Sequence, residues 1–255
     1  MTIRFLQLNI QGGRMFEEII SYIKDNDFDI LHLQEVGAGR LSRSGFDNFS
    51  EIKKRLGYKG ELALPWDIKN DKQTYTGNAT FYKSTFDYAK KEVVSLKSFC
   101  SIEKYIENND QFIKDLPKNA LALQFVFGTQ PIWFINTHLA WGPNPKDEPY
   151  KVEQGLKLRD YLATLTEPFV LSGDFNVVKS SAVVKAIDEL AVNHAVEAHI
   201  TNTLNPRLHR AKQLFPAGLA VDFIYTTKDL QTSGFDLVDT PDLSDHFGLR
   251  IDLKI

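Results

Sequence analysis

One cysteine, Cys100, stands in 255 residues. No disulfide framework can form within the chain, and nothing in its cysteine usage points to an oxidising compartment. An excess of positive charge is also missing: 30 Lys and Arg against 33 Asp and Glu give a formal net charge of −3. No overall basic field draws in nucleic acid, so a polyanionic partner must be handled locally. No apolar stretch approaches the roughly 18 residues that span a bilayer. Internal repeats and low-complexity tracts are absent, and the opening Thr2-Ile3-Arg4-Phe5-Leu6 reads as a strand without the features of a leader. These absences lead to the expectation of a cytoplasmic protein with no stable membrane insertion.

What is there is a globular composition, 43% hydrophobic and 25% charged, able to bury a sizeable core. Apolar strands alternate with helices. Strands are expected over residues 3–10, 28–33, 78–82, 120–127, 132–139, 169–171, 221–225 and 247–253. The last alternates Phe247, Leu249, Ile251 and Leu253 with Gly248, Arg250 and Asp252, the period of two of a half-buried strand. Helical spacing places Phe16, Ile19, Ile20 and Ile23 on one helix face and predicts further helices over 46–56 and 150–165, with a short one around Val183 to Leu190. Residues 65–76 read as a polar loop and 98–118 as a charged excursion holding a short helix. No linker divides the chain, so one domain over 1–255 is expected, built of two packed, mostly antiparallel or mixed sheets with helices outside.

The informative pattern is where polar residues interrupt apolar strands. Asn9, Glu35, His138 and the pair Asp174 and Asn176 each follow the apolar run of a strand. Asp222 instead begins a strand, and Asp245-His246 precede the last one. If those two strands run opposite to the others, all these groups meet at one rim. Glu35, Asp174, Asp222 and Asp245 then crowd four carboxylates against two histidines. Like charges a few ångströms apart raise one another's pKa or demand a cation, and an oxygen-rich, open environment suits Mg²⁺, with Mn²⁺ as substitute, over zinc.

The stretches that carry these residues are LNIQG (8–12), LQEV (33–36), GNATFY (77–82), NTHL (136–139), SGDFN (172–176), VDFIY (221–225) and SDH (244–246). In order and spacing they resemble the endonuclease/exonuclease/phosphatase superfamily, which includes exonuclease III-like repair enzymes, pancreatic deoxyribonuclease and sphingomyelinases. The resemblance spans nearly the whole chain. It implies an α/β fold, a four-layer α/β sandwich, and metal-dependent hydrolysis of a phosphate ester. It implies Glu35 as principal metal ligand, with Asn9 supporting metal or phosphate and Asp245 assisting the metal or the neighbouring histidine. Asp174 would orient and deprotonate the attacking water, and Asn176 would position phosphate or nucleophile. Asp222 would hold His246 to stabilise charge on the phosphate. His138 would protonate the leaving oxygen or bind a phosphate oxygen, and Asn78 would contact substrate.

Two departures from relatives narrow the substrate. His138 stands where abasic-site endonucleases typically carry tyrosine, and Leu219-Ala220-Val221-Asp222 lacks the tryptophan-cysteine-aspartate-arginine stretch of the inositol polyphosphate phosphatases. The basic cluster Arg207, His209, Arg210 and Lys212 and the loop aromatic Trp141, with Tyr75 and Trp66 in another loop, are candidate contacts to nucleic acid. A phosphodiester in nucleic acid is the first expectation. A lipid or small-molecule phosphate ester, or a catalytically silent binding module on the same scaffold, are the alternatives.

Overall fold

The computed structural model describes residues 1–106 and 109–255, with backbone alone at 211 and 212. Strands run over Thr2–Asn9 (β1), Ile30–Ala38 (β2), Tyr58–Ala63 (β3), Trp66–Ile68 (β4), Tyr75–Lys83 (β5), Tyr88–Ser95 (β6) and Cys100–Ile102 (β7). They continue over Asn119–Phe127 (β8), Gln130–His138 (β9), Phe169–Asp174 (β10), Val192–Asn193 (β11), Asp222–Thr226 (β12), Gln231–Val238 (β13) and Gly248–Lys254 (β14). Helices cover Phe16–Asn26 (α1), Asn48–Leu56 (α2), Asp110–Asp115 (α3), Pro149–Thr164 (α4), Ala182–Asp188 (α5) and His194–Glu197 (α6).

Two six-stranded mixed sheets, ordered β13-β14-β1-β2-β5-β3 and β11-β12-β10-β9-β8-β6, form the middle of the molecule. Each has one parallel pair at its centre, β1 with β2 and β9 with β10, and antiparallel pairs around it. The connections inside these parallel pairs are helical: α1 links β1 to β2, and α4 links β9 to β10. Parallel neighbours need such a crossover, whereas antiparallel β8 and β9 are joined by the short Gly128 turn.

The period of two sorts the side chains into layers. Ile3, Phe5, Ile30, Ile132, Phe134, Val170, Ile224, Leu249 and Ile251 fill the space between the sheets. Their alternates on β1 and β2, Leu6, Leu8, Leu31 and Leu33, pack outward on Phe16, Ile19, Ile20 and Ile23 of α1 and Ile52 of α2. On the other side Trp133, Ile135, Leu171, Phe223 and Tyr225 pack on Leu158 and Leu162 of α4 and Val183, Val184 and Ile187 of α5. The result is the expected four-layer sandwich. Emptying one of these large buried positions, as in Phe134→Ala, removes about 3–5 kcal/mol.

Several boundaries differ from expectation. β2 does not stop at Leu33 but runs to Ala38, and the 65–76 segment holds the short β4, which pairs in parallel with β7. A short helix does sit in the 98–118 excursion, as α3, while residues 107 and 108 lie outside the described part.

Candidate active site

The inward-facing rows of five strands change character along their length. Ile3 and Phe5 give way to Gln7 and Asn9; Ile30 to His32 and Gln34; Ile132 and Phe134 to Asn136 and His138; Val170 to Ser172 and Asp174; and Ile224 to Asp222. β12 runs antiparallel to β10 and starts opposite the residue that ends it, so Asp222 faces Asp174 in register, as His138 does across the parallel β9–β10 pair. At this end the sheets are joined by hydrogen bonds instead of apolar contact. Gln34 donates to Asn136 Oδ1 at 2.7 Å, Gln7 to Asp222 Oδ1 at 3.1 Å, and His32 shares a 2.8 Å bond with Ser172. These bonds satisfy most of the buried polar atoms there, while Gln7 Oε1 and His32 Nε2 have no partner among the described residues.

Glu35 is an exception to alternation. On a regular β2 it would point outward with Leu31 and Leu33. The β2–β5 register slips between Leu33 and Val36, and Glu35 takes φ 55°, turning its carboxylate inward. Such bulges re-aim side chains at a structural cost. Asn9 then bridges two acids, its Nδ2 donating to Glu35 Oε1 at 3.2 Å and to Asp174 Oδ2 at 3.1 Å. Its Oδ1 accepts from the Gln11 backbone N–H at 3.0 Å. The Nδ2 end of Asn9 thus holds both carboxylates, and its Oδ1 end holds the Gln11 turn. Gln11 (φ 49°) and Asn176 (φ 53°) share the left-handed backbone, so three of the six non-glycine residues with positive φ among the described residues lie in the site. Beside them Gly173 packs so closely on β9 that a side chain there would strike the Thr137 carbonyl oxygen.

His246 donates through Nδ1 to Asp222 Oδ2 at 2.9 Å, and its Nε2 lies 3.7 Å from Asp174 Oδ2. His138 Nε2 is 3.5 Å from that same Asp174 oxygen, so the aspartate sits between two imidazoles. Asp174 Oδ1 accepts from the Asn176 backbone N–H at 2.9 Å, and the Asn176 side chain donates to Leu139 O at 3.1 Å. Lys151 of α4, 1% exposed, fixes this turn by donating to Asn176 O at 3.0 Å. Asp245 accepts from the Gln11 carboxamide. Asn78 lies in the same cavity wall, its amide donating to Asn119 O at 3.0 Å.

The electrostatics follow from burial among like charges. Burial pushes the Asp174 carboxyl up to about 7, with His246 opposing and Asp222 adding to the rise. Burial, then the Asp245 charge, raises Glu35. For His246 burial disfavours the proton, but the Asp222 and Asp174 carboxylates outweigh it and hold the ring well above its ordinary range. Burial and then the Lys118 ammonium push His138 well below its ordinary range, toward a neutral ring.

These groups floor a cavity of about 740 Å³. Its walls include Arg40, Arg43 and Arg210, with Trp66, Tyr105, Trp141 and Phe215. The predicted basic cluster is split. Arg207 is tied to Asp242, with Nε at 2.7 Å, and is not among the residues lining the cavity; His209 and Arg210 are. The Lys212 side chain lies outside the described part. Trp66 is buried and stacked on Tyr105, and Tyr75 is bound to Asp47.

Sequence reading missed Gln7, Thr203, Lys118 and Lys151. Thr203 donates to Asp222 Oδ2 at 2.6 Å, and Lys118 acts by charge on Glu35, Asp174 and His138. Gln7 carried a signal, a polar residue inside an apolar strand. Thr203 and Lys118 carried none, because they reach the site from loops.

A Glu35 carboxyl raised by burial and by the Asp245 charge, oxygen donors and an open cavity are what a hard divalent cation would need at Glu35, Asn9 and Asp245. Two other groups, Asp174–Asp222–His246 and His209–Asp245–His246, have donor atoms within 4.8 Å of one another. The direct Asp222–His246 hydrogen bond accounts for the first.

Comparison with known proteins agrees with this geometry. The CCR4-Not complex 3'-5'-exoribonuclease subunit Ccr4 of Debaryomyces hansenii is 26% identical over 213 residues, covering 74% of this chain and 24% of that protein. The chain therefore spans about a quarter of that relative's length. Among solved structures, the endonuclease/exonuclease/phosphatase from Bacteroides vulgatus superposes with TM-score 0.75 at 18% identity, covering 100% of this chain and 99% of that one. The mannosyl-6-phosphatase Bt3783 of Bacteroides thetaiotaomicron gives TM-score 0.71 at 17% identity, covering 99% and 100%. The model of the Endonuclease/Exonuclease/phosphatase family matches residues 6–246, so the chain belongs to that family.

Proposed function

We propose that the chain hydrolyses a phosphodiester in nucleic acid and that Mg²⁺, replaceable by Mn²⁺, is its cofactor. The observation that carries this reading is Asp174, pushed up to about 7 and set between His138 and His246 on the cavity floor. A carboxylate tuned near neutral pH is matched to taking a proton from water. Asn9 and the Asn176 N–H fix its two oxygens, so it orients water for in-line attack. The asparagine turn at Asn176 positions the phosphate. His246, held cationic by Asp222, donates from Nε2 to a non-bridging oxygen as charge builds. His138, kept neutral by burial, suits a hydrogen bond to another phosphate oxygen better than protonation of the leaving group. Glu35, Asn9 and Asp245 would hold the cation. Bound there, it supplies Lewis acidity at the phosphoryl and leaving oxygens.

Nucleic acid is favoured over a small phosphate ester by the wall of the site. Arg43 and Arg210 offer charge beyond the reacting phosphate, Arg40 being shared with Asp71, and Trp141 and Phe215 offer faces for bases. Asn78 would contact the substrate from β5. The Ccr4 relative, an exoribonuclease subunit, points the same way.

The test is a panel of single-stranded RNA, single-stranded DNA, sphingomyelin and sugar phosphates, with EDTA or Mg²⁺, on the parent, Asp174→Asn and Glu35→Gln. Expected is cleavage of a nucleic acid that EDTA abolishes and Mg²⁺ restores. Asp174→Asn should lose about 10²–10⁴-fold in rate while melting no lower than the parent. Full rate in Asp174→Asn rejects the base assignment, and turnover of sugar phosphates alone rejects nucleic acid.

A further inference from the structure

Two segments that close the site are laced together. The Asn205 N–H bonds to Asp245 O at 2.8 Å, the Phe247 N–H to Thr203 O at 2.7 Å, and Leu204 bridges to His246. The Asn205 side chain adds a bond to Ser244 O at 3.0 Å, and the Asn205 backbone carbonyl accepts from the His209 N–H at 2.8 Å. This lacing sets His209 against His246, ring centroids 5.6 Å apart and planes at 76°. One ring nitrogen from each of these two and a carboxylate oxygen of Asp245 lie within 4.8 Å of one another, all three residues lining the cavity.

We propose that His209, Asp245 and His246 form a second metal site, selective for a nitrogen-seeking ion such as Zn²⁺, whose occupation switches off the reaction proposed above. Two imidazoles and one carboxylate facing an open cavity are the donor set and vacancy of a three-ligand zinc centre, whereas Mg²⁺ favours the oxygen-rich Glu35 side. The outer supports are in place. Asp222 occupies Nδ1 of His246 and leaves Nε2 as the donor, while Gln11 and Ser244 hold the Asp245 carboxylate. Such carboxylate–imidazole pairs orient a ligand histidine and strengthen it as a base. Zinc would displace the proton on His246 Nε2 and borrow Asp245 from the cation at Glu35. Only the inhibitory consequence rests on the proposed function; the binding does not.

The experiment titrates Zn²⁺ against a chromophoric chelator with the full chain in millimolar Mg²⁺, using the parent, His209→Gln, His209→Cys and Glu35→Gln. Expected is one zinc per chain, weakened at least about tenfold in His209→Gln, recovered in part by the sulfur donor of His209→Cys, and not weakened in Glu35→Gln, where Asp245 is no longer shared. Zinc inhibition of Mg²⁺-dependent hydrolysis, measured in the parent and the two His209 variants against each one's own uninhibited rate, should move by the same factor. The site is overturned if the parent binds no zinc, if His209→Gln binds as tightly as the parent, or if Glu35→Gln is the variant that weakens it. A chain that binds zinc as described but cleaves nothing on the panel rejects the proposed function and leaves this site standing.

Discussion

Oδ2 of Asp222 accepts two hydrogen bonds at once, from His246 Nδ1 at 2.9 Å and from Thr203 Oγ1 at 2.6 Å, while Gln7 donates to its other oxygen. The acid is 0% exposed, so its charge is held for a partner and not for solvent. Replacement by asparagine keeps the shape and removes the charge that favours the imidazolium. Asp222→Asn should lower kcat by about 10²–10⁴-fold with a small change in KM, measured by steady-state kinetics on the substrate the panel identifies. A kcat within threefold of the parent's, on the order of half a kcal/mol, would remove His246 from the chemistry.

Lys118 enters from the loop before β8, lines the cavity, and acts on Glu35, Asp174 and His138 by charge. Held among acids at the cavity floor, its ammonium is placed to meet an incoming phosphate. Lys118→Met should cut kcat/KM about ten- to a hundredfold, the loss of one charge-assisted hydrogen bond, and Lys118→Arg should recover part of it. Equal values for Met and Lys would mean that the side chain only fills space.

His32 is 0% exposed between the sheets, edge-on to Phe5 with centroids 4.8 Å apart, and burial pushes its pKa down to about 3. In the unfolded chain the ordinary value is near 6.5. Above that pH neither state carries the proton. As pH falls below it, the unfolded chain binds a proton that the folded chain refuses down to about 3. Stability is therefore present above 6.5 and lost through the window beneath it, by up to about 1.4 kcal/mol per pH unit from this group. Urea midpoints between pH 7 and 4 should fall more steeply for the parent than for His32→Gln. Parallel curves would assign the acid limb to other groups, such as buried His194, lowered to about 4.

Much of the site was legible because strand periodicity and its interruptions are local. Asn9, His138 and Asp174 end β1, β9 and β10, Asp222 begins β12, and Asp245-His246 precede β14, where the changes from apolar to polar had suggested. Glu35 was found as a residue but not as a geometry: alternation alone would aim it at α1, and the slip in β2 depends on pairing with β5. β6 was missed because an edge strand bearing Lys90, Lys91 and Glu92 has no inward apolar row to read. The basic cluster misled because neighbours in sequence diverge in space. Arg207 turns to Asp242 and the ring of Phe247, and His209 turns inward.

The hydrogen-bonded layer at one end of the sandwich also ties the site to the assembly of the two sheets. Glu35 and Asn9 belong to one sheet, Asp174, Asp222 and His138 to the other, and Asn9 with Gln7 and Gln34 are the rivets between them. Neither half holds the pocket alone: until the two slabs clamp shut, its acids and imidazoles are strangers, and a hinge that loosened them would scatter the pocket before the chain unravelled.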